Sequence, residues 1–335
     1  MPKFVVIDAY INDPDKKRDF SVMKKGFADA GYDFEMHDLR EPDEIVEAAK
    51  DADGIITVYT SIDKKILSRL PKLKVVLRAA IGYEIINLDD CSAYNVAAAN
   101  VPDYCTEEVA THSIALMLAV ERKIMLSYDM VRGGEWDINC GYPVHRLSTQ
   151  TFGLIGFGRI ARQTAAYAKV FGMQIIAYDP FCPQEVFDEA GVKKVELDEL
   201  FAQADVISVN APLTDETHHM INKDSIAKMK DGVFIVNTGR GGLISTPDLV
   251  AALKSGKVKA AGLDVLEEEP LRDANAEILK LDNVVVTSHI AYNSLEARVA
   301  NFTRAVETCV DIMNGKLPFN VLNKDKIDMA ALLKK

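Results

Sequence analysis

Short runs of β-branched and other apolar residues alternate along this 335-residue chain with amphipathic stretches of helical periodicity. The runs predict strands and the stretches predict helices, and their alternation is typical of parallel α/β architecture. A chain of this length exceeds one ordinary hydrophobic core, so we expect two domains. The strands predicted in the first part are FVVID, FEMHD, GIITVY, KVVLRAA and VAAANV.

One long helical pattern separates this first series from a second one. It runs from residue 106 to about residue 132 and ends at Gly133-Gly134, and a comparable pattern over residues 294–314 is closed by Gly315. A helix at each edge predicts that the second series is inserted into the first. Residues 1–103 and 294–335 would then form one discontinuous domain, and residues 104–293 the other. The strands predicted in the second series are TFGLIGFG, QIIAYD, DVISVNAP, GVFIVNTG, AAGLDVL and NVVVTSH.

Composition and charge narrow the classes of function. The net charge is −11 and there is no basic run, which argues against a nucleic-acid or anionic-membrane surface. The apolar stretch at residues 113–120 is far shorter than the roughly 18 residues that span a bilayer, so we expect a cytoplasmic protein without membrane contact. The five cysteines include no Cys-x-x-Cys pair, so we expect reduced thiols and no metal cluster.

A glycine-rich turn stands between the first strand and first helix of the second series. In TFGLIGFGRIARQ, Gly156 would make the tight turn, Gly158 would let a pyrophosphate approach the backbone, and Ala161 would let the helix pack closely on the sheet. The next predicted strand ends at Asp179, where a carboxylate binds the ribose hydroxyls of NAD and repels the 2′-phosphate of NADP. The spacing therefore predicts an NAD site.

Further motifs in fixed order resemble those of the D-isomer-specific 2-hydroxyacid dehydrogenases. They are GFGRIA, PLTDETHHMIN, NTGRGGLI, GLDVLEEEP and TSHIAYNS, and the similarity extends over essentially the whole chain, including VPDYCTEEVA. Tyr59 and the HIAYNS turn make the chain most similar to the branch of the C-terminal binding protein corepressors and their bacterial relatives. The lack of an arginine near Tyr59 disfavours a phosphoglycerate dehydrogenase, whereas Arg78 favours one. Glu84 and Asn87 stand where the family commonly has aspartate.

The resemblance implies two Rossmann-like or flavodoxin-like parallel-sheet domains with a cleft between them, NAD as cofactor, and a homodimer. It implies a small 2-oxo or 2-hydroxy acid as substrate, and Arg240, Glu269 and His289 as catalytic residues. The residues implied for the cofactor are Gly156, Gly158, Arg159, Ile160, Asp179, Pro212, Thr217, Thr238, Asp264 and Ala291. Those implied for the substrate are Arg78, Ile81, Gly82 and Tyr292.

The chemistry of 2-oxo acid reduction accounts for the catalytic trio. Arg240 follows a predicted strand and is flanked by glycines, and a guanidinium can bind carboxylate and carbonyl oxygens together. His289 ends the last predicted strand, and histidine exchanges protons near neutral pH. We interpret His112, His218 and His219 as structural residues.

Three consecutive glutamates in GLDVLEEEP compete for the place beside His289. A carboxylate there would stabilise the imidazolium and fix its tautomer. Glu269 matches the family position directly before Pro270, and a following proline restricts its backbone. We therefore assign the pairing to Glu269 and expect Glu267 and Glu268 to be solvated.

Two functions from different classes remain open. The first is an NAD-dependent dehydrogenase of a small D-2-hydroxy acid, with a phosphoglycerate dehydrogenase-like enzyme as a variant. The second is an NAD(H)-sensing corepressor-type interaction protein with vestigial catalysis. The segment 133–150, which carries Trp136 and Tyr142, is a candidate arm for dimer formation.

Overall fold

A computed structural model describes residues 1–10, 18–141 and 143–335 of the chain, so Tyr142 lies outside the described residues. The chain divides into two compact units. Unit 1 contains Met1–Tyr104 and Ser294–Lys335, and unit 2 contains Cys105–Asn293. The chain thus leaves unit 1 after Tyr104 and returns to it at Ser294.

Each unit is built on a parallel sheet. The strands are β1 Lys3–Val6, β2 Asp33–Met36, β3 Gly54–Thr57, β4 Val75–Arg78, β5 Ala97–Ala99, β6 Thr151–Ile155, β7 Gln174–Tyr178, β8 Lys193–Lys194, β9 Val206–Val209, β10 Val233–Asn237, β11 Val258–Leu263 and β12 Val284–Val286. All pairings between these strands are parallel. The predicted α/β class with two parallel-sheet domains is confirmed.

Helices connect the strands in both units. They are α1 Ser21–Asp29, α2 Pro42–Ala49, α3 Lys64–Leu67, α4 Leu88–Ala93, α5 Thr106–Glu121, α6 Ile124–Arg132, α7 Arg159–Val170, α8 Gln184–Ala190, α9 Leu197–Gln203, α10 Lys223–Lys228, α11 Thr246–Ser255, α12 Leu295–Met313 and α13 Met329–Leu332. Short 3-10 turns lie at Leu147–Thr149, Gly241–Leu243, Glu277–Lys280 and Lys324–Lys326. Within the described residues, no helix is both long and apolar enough to span a bilayer.

The sheet of unit 1 has the strand order β2-β1-β3-β4-β5, which is the flavodoxin-like order. Alternate residues of its strands enter two separate cores. Phe4 and Val6 pack in the core that includes α1 and α12 residues, whereas Val5 and Ile7 pack in the other core. Strands buried on both faces are expected for a parallel sheet covered by helices on both sides.

The sheet of unit 2 has the strand order β12-β11-β10-β9-β6-β7-β8. The chain order reverses between β6 and β9, and ligands of open α/β sheets bind beyond the carboxyl ends of strands at such a switch point. Helix α5 packs against β10, β11 and β12. Gly262 permits this close approach, because a β-carbon there would lie 2.9 Å from the β-carbon of Leu116 on α5.

Two features differ from the predicted elements. The helix predicted over residues 106–132 is two helices, α5 and α6, because Lys123 between them adopts a left-handed backbone with φ +52°. Helix α5 has a buried face, whereas none of the described residues of α6 is buried. The core of unit 2 therefore includes α5 but not α6. The two-residue strand β8 was not predicted, since Lys193–Lys194 carries no apolar pattern.

Candidate active site and cofactor cradle

The glycine turn after β6 has the geometry of a phosphate cradle. Gly156 has φ +87°, and a β-carbon there would lie 2.9 Å from the backbone of Asn210 and Ala211, which follow β9. Only glycine fits both conditions. Gly158 precedes α7 as its N-cap residue, and no described atom lies within 4 Å of a β-carbon built there. The N-terminus of α7, whose N–H groups and helix dipole favour an anion, therefore begins directly after an uncrowded position.

Asp179 stands beyond the end of β7 and braces the same turn. Its Oδ2 accepts a hydrogen bond from the backbone N–H of Phe157 at 2.8 Å. Its Oδ1 accepts the N–H groups of Phe181 and Cys182 at 2.9 and 3.0 Å. Three donors leave one lone-pair direction of the carboxylate for a ribose hydroxyl, so the fold holds Asp179 next to the glycine turn and leaves it one acceptor site.

Arg240 lies in a loop that packs closely against the neighbouring loop, because a glycine leaves room for the contact. The loop follows β10, and the Asn237 side chain braces it by donating to the Arg240 carbonyl at 3.0 Å. A β-carbon on Gly241 would lie 1.9 Å from the carbonyl oxygen of Leu266, within the GLDVLEEEP loop after β11. The glycine after Arg240 is therefore required for two backbones to touch.

Glu269 and His289 form a close pair. The Oε2 atom of Glu269 lies 2.6 Å from Nδ1 of His289, and the Oε1 atom accepts the N–H of Leu266 at 3.0 Å. Burial acts to raise the pKa of Glu269, but the hydrogen bond and charge of His289, the Leu266 amide and the charge of Arg240 together lower it below its ordinary value. Glu269 is therefore an ionised partner for the histidine at neutral pH. The Glu269–Pro270 peptide bond is cis.

The backbone around His289 is held by Asp264, the residue after β11. His289 has φ +56°, in the left-handed region that non-glycine residues seldom adopt. Its N–H donates to the carbonyl of Asp264 at 2.8 Å. The buried carboxylate of Asp264 accepts the N–H groups of Ile290 and Ala291, both at 2.9 Å. These bonds fix the loop that presents His289, whose side chain is 45% exposed.

Glu267 is exposed, as predicted, but it also makes a pair that the sequence did not predict. Its Oε1 atom lies 2.5 Å from Nε2 of His219, and its Oε2 accepts the N–H of Thr246 at the start of α11 at 2.6 Å. Burial acts to raise the pKa of Glu267, but the hydrogen bonds from Thr246 and His219 outweigh it and lower the pKa. The GLDVLEEEP loop thus carries two Glu–His pairs, and Glu268 between them is exposed.

The other residues predicted for the cofactor lie after β6, β9, β10 and β11 of unit 2 or beyond β12. Thr217 donates its hydroxyl hydrogen to the carbonyl of Pro212 at 2.6 Å, so it braces its own turn. Thr238 shares a 2.7 Å hydrogen bond with Ser113 on α5. Arg159 and Ile160 begin α7 directly after the glycine turn. Their contacts with NAD stay a prediction.

The residues predicted to bind substrate in unit 1 follow β4. The carbonyl of Ala80 accepts the N–H of Val101, and the carbonyl of Ile81 accepts the side-chain amide of Asn100. A trans peptide points its N–H opposite to its carbonyl. The N–H groups of Ile81 and Gly82 therefore point away from these partners.

Arg78, at the end of β4, is tied to its own unit. It donates from Nε to the carbonyl of Val58 at 3.1 Å, and its guanidinium pairs with Glu84 at 2.7 Å. Glu84 is one of the positions at which the sequence departs from the family pattern. Its carboxylate offsets the positive charge of Arg78.

Tyr292, the last residue predicted for the substrate, lies close to His289. The two ring centroids are 6.3 Å apart with the planes nearly perpendicular, at 75°. This edge contact places an aromatic side chain beside the candidate acid–base group.

Sequence reasoning missed a hydrogen-bonded set beneath this loop. His112 of α5, interpreted as a plain structural residue, has Nε2 2.9 Å from Oγ1 of Thr287. Thr287 in turn contacts Asp264 at 2.5 Å. The polar residue that directly follows each of β10, β11 and β12 is a sequence signal for this set, but the helix that meets it could not be read from spacing.

Comparison with known proteins gives the family. Residues 114–291 match the model of the D-isomer specific 2-hydroxyacid dehydrogenase, NAD binding domain. The chain is 35% identical over 329 residues to a hydroxypyruvate reductase of Blautia hydrogenotrophica, covering 96% of this chain and 100% of that protein. It is 39% identical over 292 residues to a D-3-phosphoglycerate dehydrogenase of Methanocaldococcus jannaschii, covering 87% of this chain but only 55% of that longer protein.

A solved structure agrees with these relatives over the whole length. The D-lactate dehydrogenase from Aquifex aeolicus, complexed with NAD and lactic acid, superposes with a TM-score of 0.80 at 28% identity and covers 97% of each chain. The chain therefore belongs to the D-isomer specific 2-hydroxyacid dehydrogenase family, with an NAD-binding domain at residues 114–291.

Proposed function

We propose that the protein is an NAD-dependent oxidoreductase that reduces a small 2-oxo acid to the D-2-hydroxy acid and catalyses the reverse reaction. The observation that carries this proposal is the 2.6 Å pair of Glu269 and His289 with the charge of Arg240 close by. Together these residues offer a proton donor, its carboxylate partner and a cation for an α-oxo carboxylate.

The cofactor site suits NAD. The open space at Gly158 and the N-terminus of α7 would hold the diphosphate, and Asp179 would accept a ribose hydroxyl and repel a 2′-phosphate. Arg159, Ile160, Pro212, Thr217, Thr238, Asp264 and Ala291 complete the proposed cofactor contacts. When bound, the reduced nicotinamide supplies the hydride.

Arg240 binds the substrate's carboxylate and carbonyl oxygens in this account. A guanidinium donates several hydrogen bonds in one plane and stays charged at all relevant pH values. Negative charge develops on the carbonyl oxygen during reduction, and a fixed cation nearby stabilises it. The glycines around Arg240 keep its loop against the GLDVLEEEP loop, so the cation is held near Glu269.

His289 moves the proton. Its Nδ1 is held by Glu269, so its Nε2 carries the proton that goes to the substrate oxygen during reduction and takes it back during oxidation. Glu269 stabilises the imidazolium and fixes the ring orientation. The edge contact with Tyr292 limits the freedom of the ring from a second side and gives the substrate an aromatic neighbour.

In unit 1, Ile81 and Gly82 are proposed to receive the substrate carboxylate through their backbone N–H groups. The bonds of the Ala80 and Ile81 carbonyls to Val101 and Asn100, which orient these N–H groups, support this role. Arg78 is proposed to assist, although its pairing with Glu84 favours an unphosphorylated acid over a phosphorylated one.

A substrate panel tests the proposed function. NADH oxidation is followed by absorbance with glyoxylate, pyruvate, hydroxypyruvate, bulkier 2-oxo acids and phosphohydroxypyruvate. We expect turnover with at least one small unphosphorylated acid, and loss of most of that turnover in His289→Ala. Tight NADH binding without turnover on any acid would favour the corepressor-type alternative, and a preference for the phosphorylated acid would favour the phosphoglycerate dehydrogenase-like variant.

We also propose a homodimer in the cytoplasm. Four apolar side chains of α6, Ile124, Met125, Tyr128 and Val131, are 42–52% exposed, and Trp136 in the following segment is 83% exposed. An apolar patch of this kind marks an interaction surface. Sedimentation of the wild type and of Tyr128→Glu tests the assignment: a dimer that the substitution dissociates is expected, and a monomeric wild type would contradict it.

A further inference from the structure

Three neighbouring strands of unit 2 end side by side at one edge. The last residues of β10, β11 and β12 are paired in register. The residue that follows each strand is polar: Thr238, Asp264 and Thr287. Arg240 and His289 lie two residues beyond the first and last of these positions. Both candidate catalytic loops therefore begin at this row of polar residues.

Helix α5 reaches this row through two adjacent side chains. His112 places Nε2 2.9 Å from Oγ1 of Thr287, and Ser113 places Oγ 2.7 Å from Oγ1 of Thr238. Ser113 also donates to the carbonyl of Val109 at 2.8 Å, so its hydroxyl is left to accept from Thr238. One turn of α5 thus connects to both outer members of the row.

The donors and acceptors around His112 determine that its Nε2 atom carries a hydrogen. The carboxylate of Asp264 accepts the backbone N–H groups of Ile290 and Ala291, which is the environment of an ionised acid. Thr287 has one hydroxyl hydrogen, and it goes to Oδ1 of Asp264 at 2.5 Å. Thr287 can then only accept from His112, so Nε2 of His112 carries a hydrogen.

This chain of bonds ends at the backbone of His289. Asp264 receives the His289 N–H at its carbonyl and the next two N–H groups at its carboxylate. Those bonds hold His289 at φ +56°, a conformation that an isolated histidine seldom adopts. Thr287 and His112 fix the orientation of the Asp264 carboxylate, which is buried away from water.

We propose that His112 is a positioning residue for the dehydrogenase reaction: its Nε2–H, through Thr287 and Asp264, sets the loop that presents His289. This inference rests on the proposed function. It differs from a merely structural role, because loss of the Nε2–H would disturb the proton-transfer step more than the folded state. The donor atom itself, and not the size of the ring, is what the loop requires.

Three substitutions of His112 separate the effect of losing the Nε2–H donor from the effect of losing the ring. The amide nitrogen of glutamine reaches about as far as the Nε2 of histidine, whereas that of asparagine ends near the position of Nδ1. We expect His112→Ala and His112→Asn to lower kcat about tenfold with the KM for NADH within about twofold of wild type. His112→Gln should retain at least about half of the wild-type kcat. Thr111→Ala, at an exposed neighbour on α5, is the control and should match wild type.

A double-mutant cycle tests the path through Thr287. Thr287→Val keeps the shape of the side chain and removes the hydroxyl, so it should lower kcat about as much as His112→Ala. The double variant should lose no more than the more impaired single variant, because both break one chain of bonds. Multiplying losses, or a His112→Gln variant as impaired as His112→Ala, would overturn the proposal.

A ring-nitrogen NMR measurement keeps the proposal testable if no 2-oxo acid is turned over. Wild-type inactivity would refute the proposed function alone. In ¹⁵N-histidine spectra, the His289 signals should move in His112→Ala and stay in place in His112→Gln. The His112 ring should show its hydrogen on Nε2. Unmoved His289 signals in His112→Ala would overturn the positioning role whatever the activity.

Discussion

A β-carbon on Gly241 would lie 1.9 Å from the carbonyl oxygen of Leu266, so the loop that carries Arg240 touches the GLDVLEEEP loop backbone to backbone. The contact is between main chains, and no side-chain rotation can relieve it. It therefore couples the placement of Arg240 to that of Glu269, which lies three residues after Leu266 in the same loop.

Substitution Gly241→Ala is expected to separate the two loops. Overpacking of this kind destabilises a protein by about 1–3 kcal/mol, and displacement of Arg240 should lower kcat/KM for reduction at least about a hundredfold. Gly242→Ala is the matched control, since a β-carbon there meets side chains and no backbone, Leu213 at 3.2 Å and His218 at 3.6 Å. Steady-state kinetics and thermal unfolding of both variants check the prediction, and equal behaviour would contradict it.

The glycine turn predicts two different defects for two neighbouring glycines. Gly158→Ala should leave the thermal stability near wild type, because the β-carbon meets open space, but weaken NADH binding about tenfold or more. Gly156→Ala should lower stability, because φ is +87° and backbone atoms lie 2.9 Å from the added carbon. NADH titration by fluorescence and thermal unfolding separate the cases. Normal NADH affinity in Gly158→Ala would remove the diphosphate assignment.

Glu267 should stabilise the fold in a pH-dependent way. Its pKa is lowered from 4.5, so its contribution is present above about pH 4.5 and is lost as the pH falls through the lowered value. Glu267→Gln should therefore cost about 0.5–1 kcal/mol at neutral pH, because α11 loses an anion at its N-terminus, and progressively less as the pH falls through the lowered pKa. Thermal unfolding against pH measures the difference. Glu268→Gln, at the exposed neighbour, is the control.

Glu121 should change the free energy of unfolding with the opposite dependence on pH. Burial raises the pKa of this carboxyl from 4.5 to about 7, Gln150 is its hydrogen-bond partner at 3.3 Å, and Oε1 has no partner among the described residues. The stability that this group contributes is full below about pH 4.5 and is lost as the pH rises through about 7. Glu121→Gln should therefore stabilise the protein by up to roughly 3 kcal/mol near pH 8 relative to pH 5.

The control for Glu121 is Glu107→Gln, an exposed acid in the first turn of the same helix. It should not reproduce the stabilisation that is expected of Glu121→Gln. A wild-type protein whose stability, relative to Glu121→Gln, does not change between about pH 5 and about pH 8 would contradict a raised pKa.

Much of the fold followed from the alternation of short apolar runs with amphipathic stretches along the chain. That alternation predicted the five strands of unit 1 and all strands of unit 2 except β8, because buried parallel strands read as continuous apolar runs. The break between α5 and α6 could not be predicted, since Lys123 is an ordinary helix former that adopts a left-handed backbone here. None of the described residues of α6 is buried, so no packing holds the chain after Lys123 in line with α5.

Contacts in the candidate site could be predicted where a sequence motif assigns a role to each residue. They could not be predicted where the contact depends on a turn conformation or on the order of the strands in the sheet. Glu269 and His289 meet as expected from the motif. The pairing of Glu267 with His219 depends on a turn in which His219 has φ +51°, and periodicity carries no sign of that. The contact of His112 with Thr287 depends on α5 crossing three strand ends, which only the sheet order reveals.

The pH profile of kcat/KM for NADH-dependent reduction tests the central claim most directly. It is measured for the wild type, Glu269→Gln, Glu268→Gln and His289→Ala. The pairing of Glu269 with His289 predicts that Glu269→Gln moves the alkaline fall of the profile to lower pH, and that His289→Ala lowers activity about a hundredfold or more. Glu268→Gln should match wild type. Superimposable profiles for the wild type and Glu269→Gln, or a larger effect at Glu268, would contradict the account.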